Sequence, residues 1–301
     1  MRTGSAHDFR LIFSYPVPVE RTPWKSIRPG LRDELSHRNA ARSASFPAEM
    51  SYSPVPSIVY SENEAGEHGN FLPASYKRIL RQPAWRARLA KVYTGSRFFP
   101  RKADRTRREL DCANSSDALL MNIFCYPGIT HRAAVCSLLG AEPGIHPTFG
   151  FRPAIPLKNG DDDRSEIDLK LGKLFIEAKL TEGDFQIAKS ALVHRYRDLE
   201  AVFDVARLPR REEKFLSYQL IRGALAAHTH TGSFAVLCDQ RRQDLIEDCF
   251  EIMSTVMSAE LRCRLSVVTW QELAHALPPK VRTFLGDKYG IVRSGLATYL
   301  G

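Results

Sequence analysis

Asp168, Glu177 and Lys179 stand within the stretch SEIDLKLGKLFIEAKL, residues 165–180, and their types suit metal-assisted phosphodiester hydrolysis. Two carboxylates can share a divalent ion, which polarises a phosphate oxygen and lowers the pKa of a bound water. A lysine beside them can orient or activate that water and offset the charge of the transition state. Mg²⁺ fits such a pair, because it binds a few carboxylates and keeps waters and substrate phosphate oxygens around it. Mn²⁺ is the alternative ion, and the backbone carbonyl of Ala178 offers a further ligand.

What must position these groups is a hairpin. Ile167, Leu169 and Leu171 alternate with Glu166, Asp168 and Lys170, and Leu174, Ile176, Ala178 and Leu180 alternate with Lys173, Phe175, Glu177 and Lys179. That is the period of strands with one core face and one polar face. Gly172-Lys173 between them suits a two-residue type II′ turn closed by Leu171 and Leu174. Counting outward, 170 opposes 175, 168 opposes 177 and 166 opposes 179, so Asp168 and Glu177 become cross-strand neighbours about 5 Å apart at Cβ. Carboxylates so close repel unless a cation lies between them. Spacing alone leaves two readings open: a metal site, or a charged outer face. Asp168-Leu169-Lys170 is a competing acid-x-Lys frame, and Glu212 to Lys214 repeats the E-x-K triplet elsewhere.

Around the hairpin, SSDALLMNIF gives a Ser-capped apolar stripe, and THRAAVCSLLG a second with Thr130 as cap and Gly140 as stop. TFGFRPAI, SFAVLCD and RLSVVTW read as strands. Asp184 to Val205, EEKFLSYQLIRGALAAHTH, QDLIEDCFEIMSTVMSAEL, WQELAHAL and PPKVRTFLGDKYG read as helices. Alternating helix and strand after a hairpin points to a mixed sheet covered by helices. Residues 1–70, rich in Pro, Ser and Arg and without sustained periodicity, are expected to be an irregular extension. Residues 71–301 then form the main domain, with a basic helical segment over 75–110 and a core over 114–301.

The pattern D-x8-E-A-K on a hairpin, here Asp168, Glu177 and Lys179, resembles the PD-(D/E)xK nuclease superfamily over roughly Ser115 to Ile291. The resemblance implies a restriction-endonuclease-like three-layer α/β/α fold with a central mixed sheet. It also implies a Mg²⁺-dependent endonuclease acting on DNA, with Asp168 and Glu177 as metal ligands and Lys179 as the catalytic cation. A helix after the catalytic strands often supplies a Gln or a basic residue in that superfamily, which makes Gln219 and Arg222 candidates by position. Ile167 stands in place of the motif proline. The first helix has no glutamate, only Asp117 and Asn122 as polar residues, and Glu166 faces Lys179 in the register above. Some superfamily members cleave nothing, so a nuclease-fold DNA-binding or scaffolding protein is the rival. Homodimers are common among restriction enzymes of this fold.

The chain has 301 residues, 44% of them hydrophobic, and a net charge of +9. A basic surplus favours polyanionic partners. Lys77, Arg78, Arg81, Arg86, Arg88, Lys91 and Arg97, interleaved with Trp85, Tyr93, Phe98 and Phe99, form a basic-aromatic run suited to a phosphate backbone. No apolar run is long enough to span a membrane. "LIFSYPVPV" is broken by Pro16 and Pro18, so no export leader is expected and the cytoplasm is the expected location. Cys112, Cys125, Cys136, Cys238, Cys249 and Cys263 lack CxxC spacing and read as reduced, mostly buried thiols. His228-Thr229-His230 reads as a helix end, since a structural metal site needs about four ligands. Glycine-rich phosphate loops and G-x-S-x-G are absent.

Overall fold

A computed structural model describes residues 24–51, 56–93 and 105–292. Helix α1 (Trp24–Ser43) is followed by strands β1 (Ala48–Met50) and β2 (Ile58–Tyr60), helices α2 (Pro73–Arg81) and α3 (Pro83–Arg88), then α4 (Ser116–Phe124) and α5 (Ala133–Leu139). Next come β3 (Thr148–Phe151), β4 (Ile155–Pro156), β5 (Asp162–Asp163), β6 (Ile167–Leu171) and β7 (Leu174–Ala178). A stretch of short pieces follows: β8 (Ala188–Lys189), α6 (Ser190–Val193), α7 (Leu199–Val202), β9 (Arg210–Arg211) and β10 (Lys214–Phe215). The chain closes with α8 (Tyr218–Thr229), β11 (Ser233–Cys238), α9 (Gln243–Thr255), α10 (Ala259–Arg262), β12 (Leu265–Thr269), α11 (Trp270–Ala276) and α12 (Pro279–Tyr289).

Five strands make the central sheet in the order β12-β11-β7-β6-β3. β12, β11 and β7 run parallel, whereas β6 is antiparallel to both of its neighbours. One face packs Phe175, Phe234 and Val236 against α8 and α9. The other packs Leu169, Leu171, Leu174 and Ile176 against α4, α5, α11 and α12. The architecture is a three-layer α/β/α fold with a mixed sheet. β7 is buried at every residue because both of its faces are covered, so the expected polar face is a core face from which polar groups emerge only at its end.

Local chemistry fixes the elements nearest the hairpin. The Ser115 hydroxyl accepts the Ala118 N–H at 3.1 Å and starts α4. Gly140 takes a left-handed φ of 62° and ends α5. Thr130, in contrast, lies in a 3₁₀ turn over Ile129–His131, and Arg132 occupies the α5 cap position. Asp184 to Val205 forms no continuous helix. Its backbone is drawn into strand pairing at Ala188–Lys189 and into a bridge between Leu157 and Tyr196, leaving only the single turns α6 and α7.

The first 70 residues are not irregular throughout, since α1 packs on α12. Its inward stripe reads Leu31, Leu35, Asn39, and the third member is polar, which hides the helical period. Asn39 is buried, donating to the Leu35 carbonyl at 2.8 Å and to the Lys288 carbonyl at 3.1 Å. Among the described residues no helix is long and apolar enough to cross a membrane. All six cysteines are unpaired thiols, five buried and Cys263 exposed.

Candidate active site

The hairpin has the register expected near its turn, with Leu171 opposite Leu174, Lys170 opposite Phe175 and Leu169 opposite Ile176. Gly172 alone of the turn pair has a left-handed φ, 60°, the conformation glycine adopts without penalty. Regular pairing then stops at Asp168. Its Oδ2 accepts the Ala178 backbone N–H at 2.8 Å, replacing a ladder bond with a side-chain one. On the other side β3 pairs through Phe149–Leu169 and Phe151–Ile167, skipping Gly150, which has φ 64°. Asp168 therefore sits where the regular pairing of β6 is interrupted on both sides, with no shift of register against β3.

Glu177 and Lys179 emerge at the end of β7. The Lys179 Nζ lies 2.9 Å from Glu177 Oε1 and donates to Gln219 Oε1 at 2.8 Å. Gln219, in the first turn of α8, also donates from Nε2 to Glu177 Oε1. The backbone of Lys179 is clamped on both sides: its N–H donates to the Leu237 carbonyl and its carbonyl accepts the Trp270 indole N–H, each at 2.8 Å. Trp270 is fully buried, so the lysine stands on rigid core. Side chains of Lys179 and Glu177 are 6% and 3% exposed, which makes their ion pair a buried one.

A second set of charges adjoins the first. Asp117, buried at the start of α4, accepts from Arg88 Nη2 at 2.8 Å and Lys91 Nζ at 2.7 Å. Glu166 Oε1 takes Arg88 Nη2 at 2.7 Å, and Lys91 Nζ lies 3.1 Å from Glu109 Oε2. Trp85 steers these cations inward. It is buried against His146 and donates its indole N–H to the Pro147 carbonyl at 3.0 Å, and Arg88 shares its helix face. Gly150 leaves the space: a Cβ there would fall 2.0 Å from Arg88 Nη1.

The electrostatics follow from this crowding. Burial, then the Glu177 and Asp117 carboxylates, push the Asp168 carboxyl well above its ordinary range. Burial pulls Lys179 down, but Glu177, Glu182 and Asp168 outweigh it and hold the ammonium charged beyond its ordinary range. Burial and Asp117 likewise raise Glu109, against the pull of Lys91. One Asp117 oxygen, Oδ1, is buried without a hydrogen bond. Six carboxylates (Glu109, Asp117, Glu166, Asp168, Glu177 and Glu182) thus share three cations, Arg88, Lys91 and Lys179.

Among the described residues no three His, Cys, Asp or Glu side chains converge as a ready ligand set. Mg²⁺ does not require one, since one or two carboxylates plus water and substrate oxygens suffice. The excess of carboxylates and the orphaned Asp117 oxygen fit a divalent cation. Beside the ion network opens a cleft of about 310 Å³, lined by Lys179 and Gln219 with Glu182, Asp184, Gln186 and Tyr93 on its walls.

The structure thus brings together Asp168, Glu177, Lys179 and Gln219, with Ala178 bonded to Asp168. Glu166 does not face Lys179, because the strands part at Asp168, and it binds Arg88 instead. Arg222 is buried, one helical turn beyond Gln219, and donates to the Glu166 carbonyl at 2.7 Å. Arg88 and Lys91 point into the acidic cluster rather than to solvent. Arg78 lies over the Trp85 ring, 5.4 Å from its centroid. Lys77, Arg81 and Arg86 are exposed, while Arg97 lies outside the described residues. Of the first-helix polar groups, Asp117 joins the site and Asn122 is structural, accepting the Leu72 N–H at 2.7 Å. His230 caps α8 against the Pro153 carbonyl. The Cys238 thiol is pushed up to about 12 by burial, which leaves it unreactive.

The family described as Restriction Endonuclease associating with ARP matches residues 38–290. No curated protein and no solved structure matches the chain.

Proposed function

The chain belongs to the family of restriction endonucleases associating with ARP, and we propose that it hydrolyses phosphodiester bonds in DNA with a divalent cation. The observation that carries this reading is Asp168: a carboxyl mounted at a strand break, pushed up by burial and by the Glu177 and Asp117 carboxylates. A carboxyl crowded in this way is suited to binding a cation. Asp168, Glu177 and the Ala178 carbonyl would hold Mg²⁺ or Mn²⁺. The ion would polarise the scissile phosphate and acidify a bound water.

This chain's own residues do the rest. Lys179, set among carboxylates that favour its charged form, would orient water and offset transition-state charge. Gln219 bridges Lys179 and Glu177 and fixes both rotamers. Asp117 adds negative charge that draws the cation in. The cleft beside Lys179 and Gln219 is the place for the scissile strand.

Plasmid nicking with Mg²⁺ or Mn²⁺ tests the reading. Wild type should cut, and Asp168→Ala and Lys179→Ala should not. Metal-dependent cutting that survives both substitutions would refute the site. One observation favours the rival, a DNA-binding protein that does not cleave: Arg88 and Lys91 already neutralise Asp117 and Glu166. Duplex binding retained by both variants, with no cutting by wild type at any metal concentration, selects that rival.

A further inference from the structure

Strands β8, β9 and β10 form a separate antiparallel ribbon in the order β8-β10-β9. Its register puts Lys189, Lys214 and Arg211 in one row across all three strands. The next row, Ala188, Phe215 and Arg210, faces the opposite way. There Ala188 and Phe215 are buried, and the Arg210 guanidinium lies over the Phe215 ring, 4.2 Å from its centroid. The Lys189-Lys214-Arg211 row is exposed, and among the described residues no carboxylate pairs with any of the three. Glu212 and Glu213 occupy the turn between β9 and β10, with Glu212 held at a left-handed φ of 53°.

Like charges directly opposite one another on neighbouring strands repel. Three in a row concentrate positive charge that an anionic partner would relieve. Strands lie about 4.8 Å apart, so the row spans roughly 10 Å. Phosphates of one strand rise about 3.4 Å each along the helix axis, so the three long cationic side chains of so short a row can reach neighbouring phosphates. The ribbon is also continuous with the site. Beyond Lys214 and Phe215, the Tyr218 N–H donates to the Gln186 carbonyl and the Gln219 N–H to the Phe185 carbonyl, each at 2.9 Å. The same two segments that pair in the ribbon end at Gln219 and at the cleft wall.

We propose that this ribbon is a phosphate clamp that grips the backbone of duplex nucleic acid as it enters the Lys179 cleft. The inference rests on the nuclease reading of the site and adds a surface outside the basic segment 75–110. Duplex binding by fluorescence anisotropy, without added metal, tests it as log Kd against log salt between 50 and 200 mM. The full chain is compared with Lys189→Gln/Arg211→Gln/Lys214→Gln and with a control of equal charge loss outside both basic surfaces, Lys173→Gln/Arg262→Gln/Lys280→Gln. All six substituted side chains are exposed, and matched thermal unfolding verifies the fold.

The ribbon triple should flatten the salt slope by about 2.7, or 0.9 per lost phosphate contact, and Lys214→Gln alone by about 0.9. The control should flatten it less. A wild-type slope in the ribbon triple overturns the clamp and leaves the nuclease reading to the nicking assay. Equal flattening by both triples reports net charge rather than a site, and also overturns it. If wild type binds no duplex, clamp and DNA substrate fall together. Binding instead to anionic phospholipid vesicles, lost in the ribbon triple, would reassign the row to a membrane surface.

Discussion

Lys179 and Lys288 are both buried amines, and their surroundings drive them in opposite directions. Lys179 ends β7 among Glu177, Glu182 and Asp168, which hold it charged. Among the described residues no carboxylate pairs with Lys288, on α12. Its Nζ donates to Asn39 Oδ1 at 2.6 Å and lies against the Tyr60 and Tyr289 rings. Burial, with the nearby Arg42 charge, pulls it well below the ordinary lysine range. Both amines are equally hidden from water, so burial does not mark the functional one. What sets Lys179 apart is its ring of carboxylates, which favour its charged form.

Breaking this comparison begins with Lys179→Met. Nicking should fall about 10²- to 10³-fold, the cost of losing one preorganised charge-stabilising group. Stability should drop by about 3–5 kcal/mol in urea denaturation, because Glu177 is left buried without its partner. Adding Glu177→Gln should restore much of that stability and none of the cutting. Gly150→Ala tests a half-buried cation, Arg88. The new methyl would displace the guanidinium from Asp117 and Glu166 and strain a left-handed backbone, at a cost of about 2 kcal/mol. Unchanged stability would show that Arg88 does not depend on those carboxylates.

The smallest effect belongs to Lys288→Met, which should leave nicking intact and stabilise the chain by about 1 kcal/mol at pH 7. A folded-state pKa below the unfolded value means that the unfolded chain binds more protons. Wild-type stability relative to the variant should therefore rise with pH above the folded pKa, by at most about 1.4 kcal/mol per pH unit, until the unfolded lysine titrates. Urea denaturation of both chains at pH 7, 8 and 9 would show the gap closing. A constant gap would mean that Lys288 keeps its charge when buried.

The hairpin could be read from sequence because Gly172 and strict alternation fix the register from both directions. Side-chain partners distant in sequence could not. Asp117 precedes Asp168 by 51 positions and was visible only as a polar residue in the right helix. Arg88 and Lys91 look identical in sequence to Lys77 and Arg86, since charge patterning does not tell a paired cation from a solvated one. The α1 helix escaped detection through Asn39, the polar member of its stripe that exists to meet Lys288. The ribbon escaped because two-residue strands are shorter than any period.

One consequence follows from β7 being buried along its length, with Lys179 tied to Leu237 and Trp270. Amide protons at Ala178 and Lys179 are bonded to Asp168 and to Leu237 of β11, so they should exchange with deuterium only when the sheet opens. The site then has no local route to disorder. The sheet that carries Asp168 and Lys179 would dissolve in a single transition, and the ribbon outside it would be free to loosen earlier.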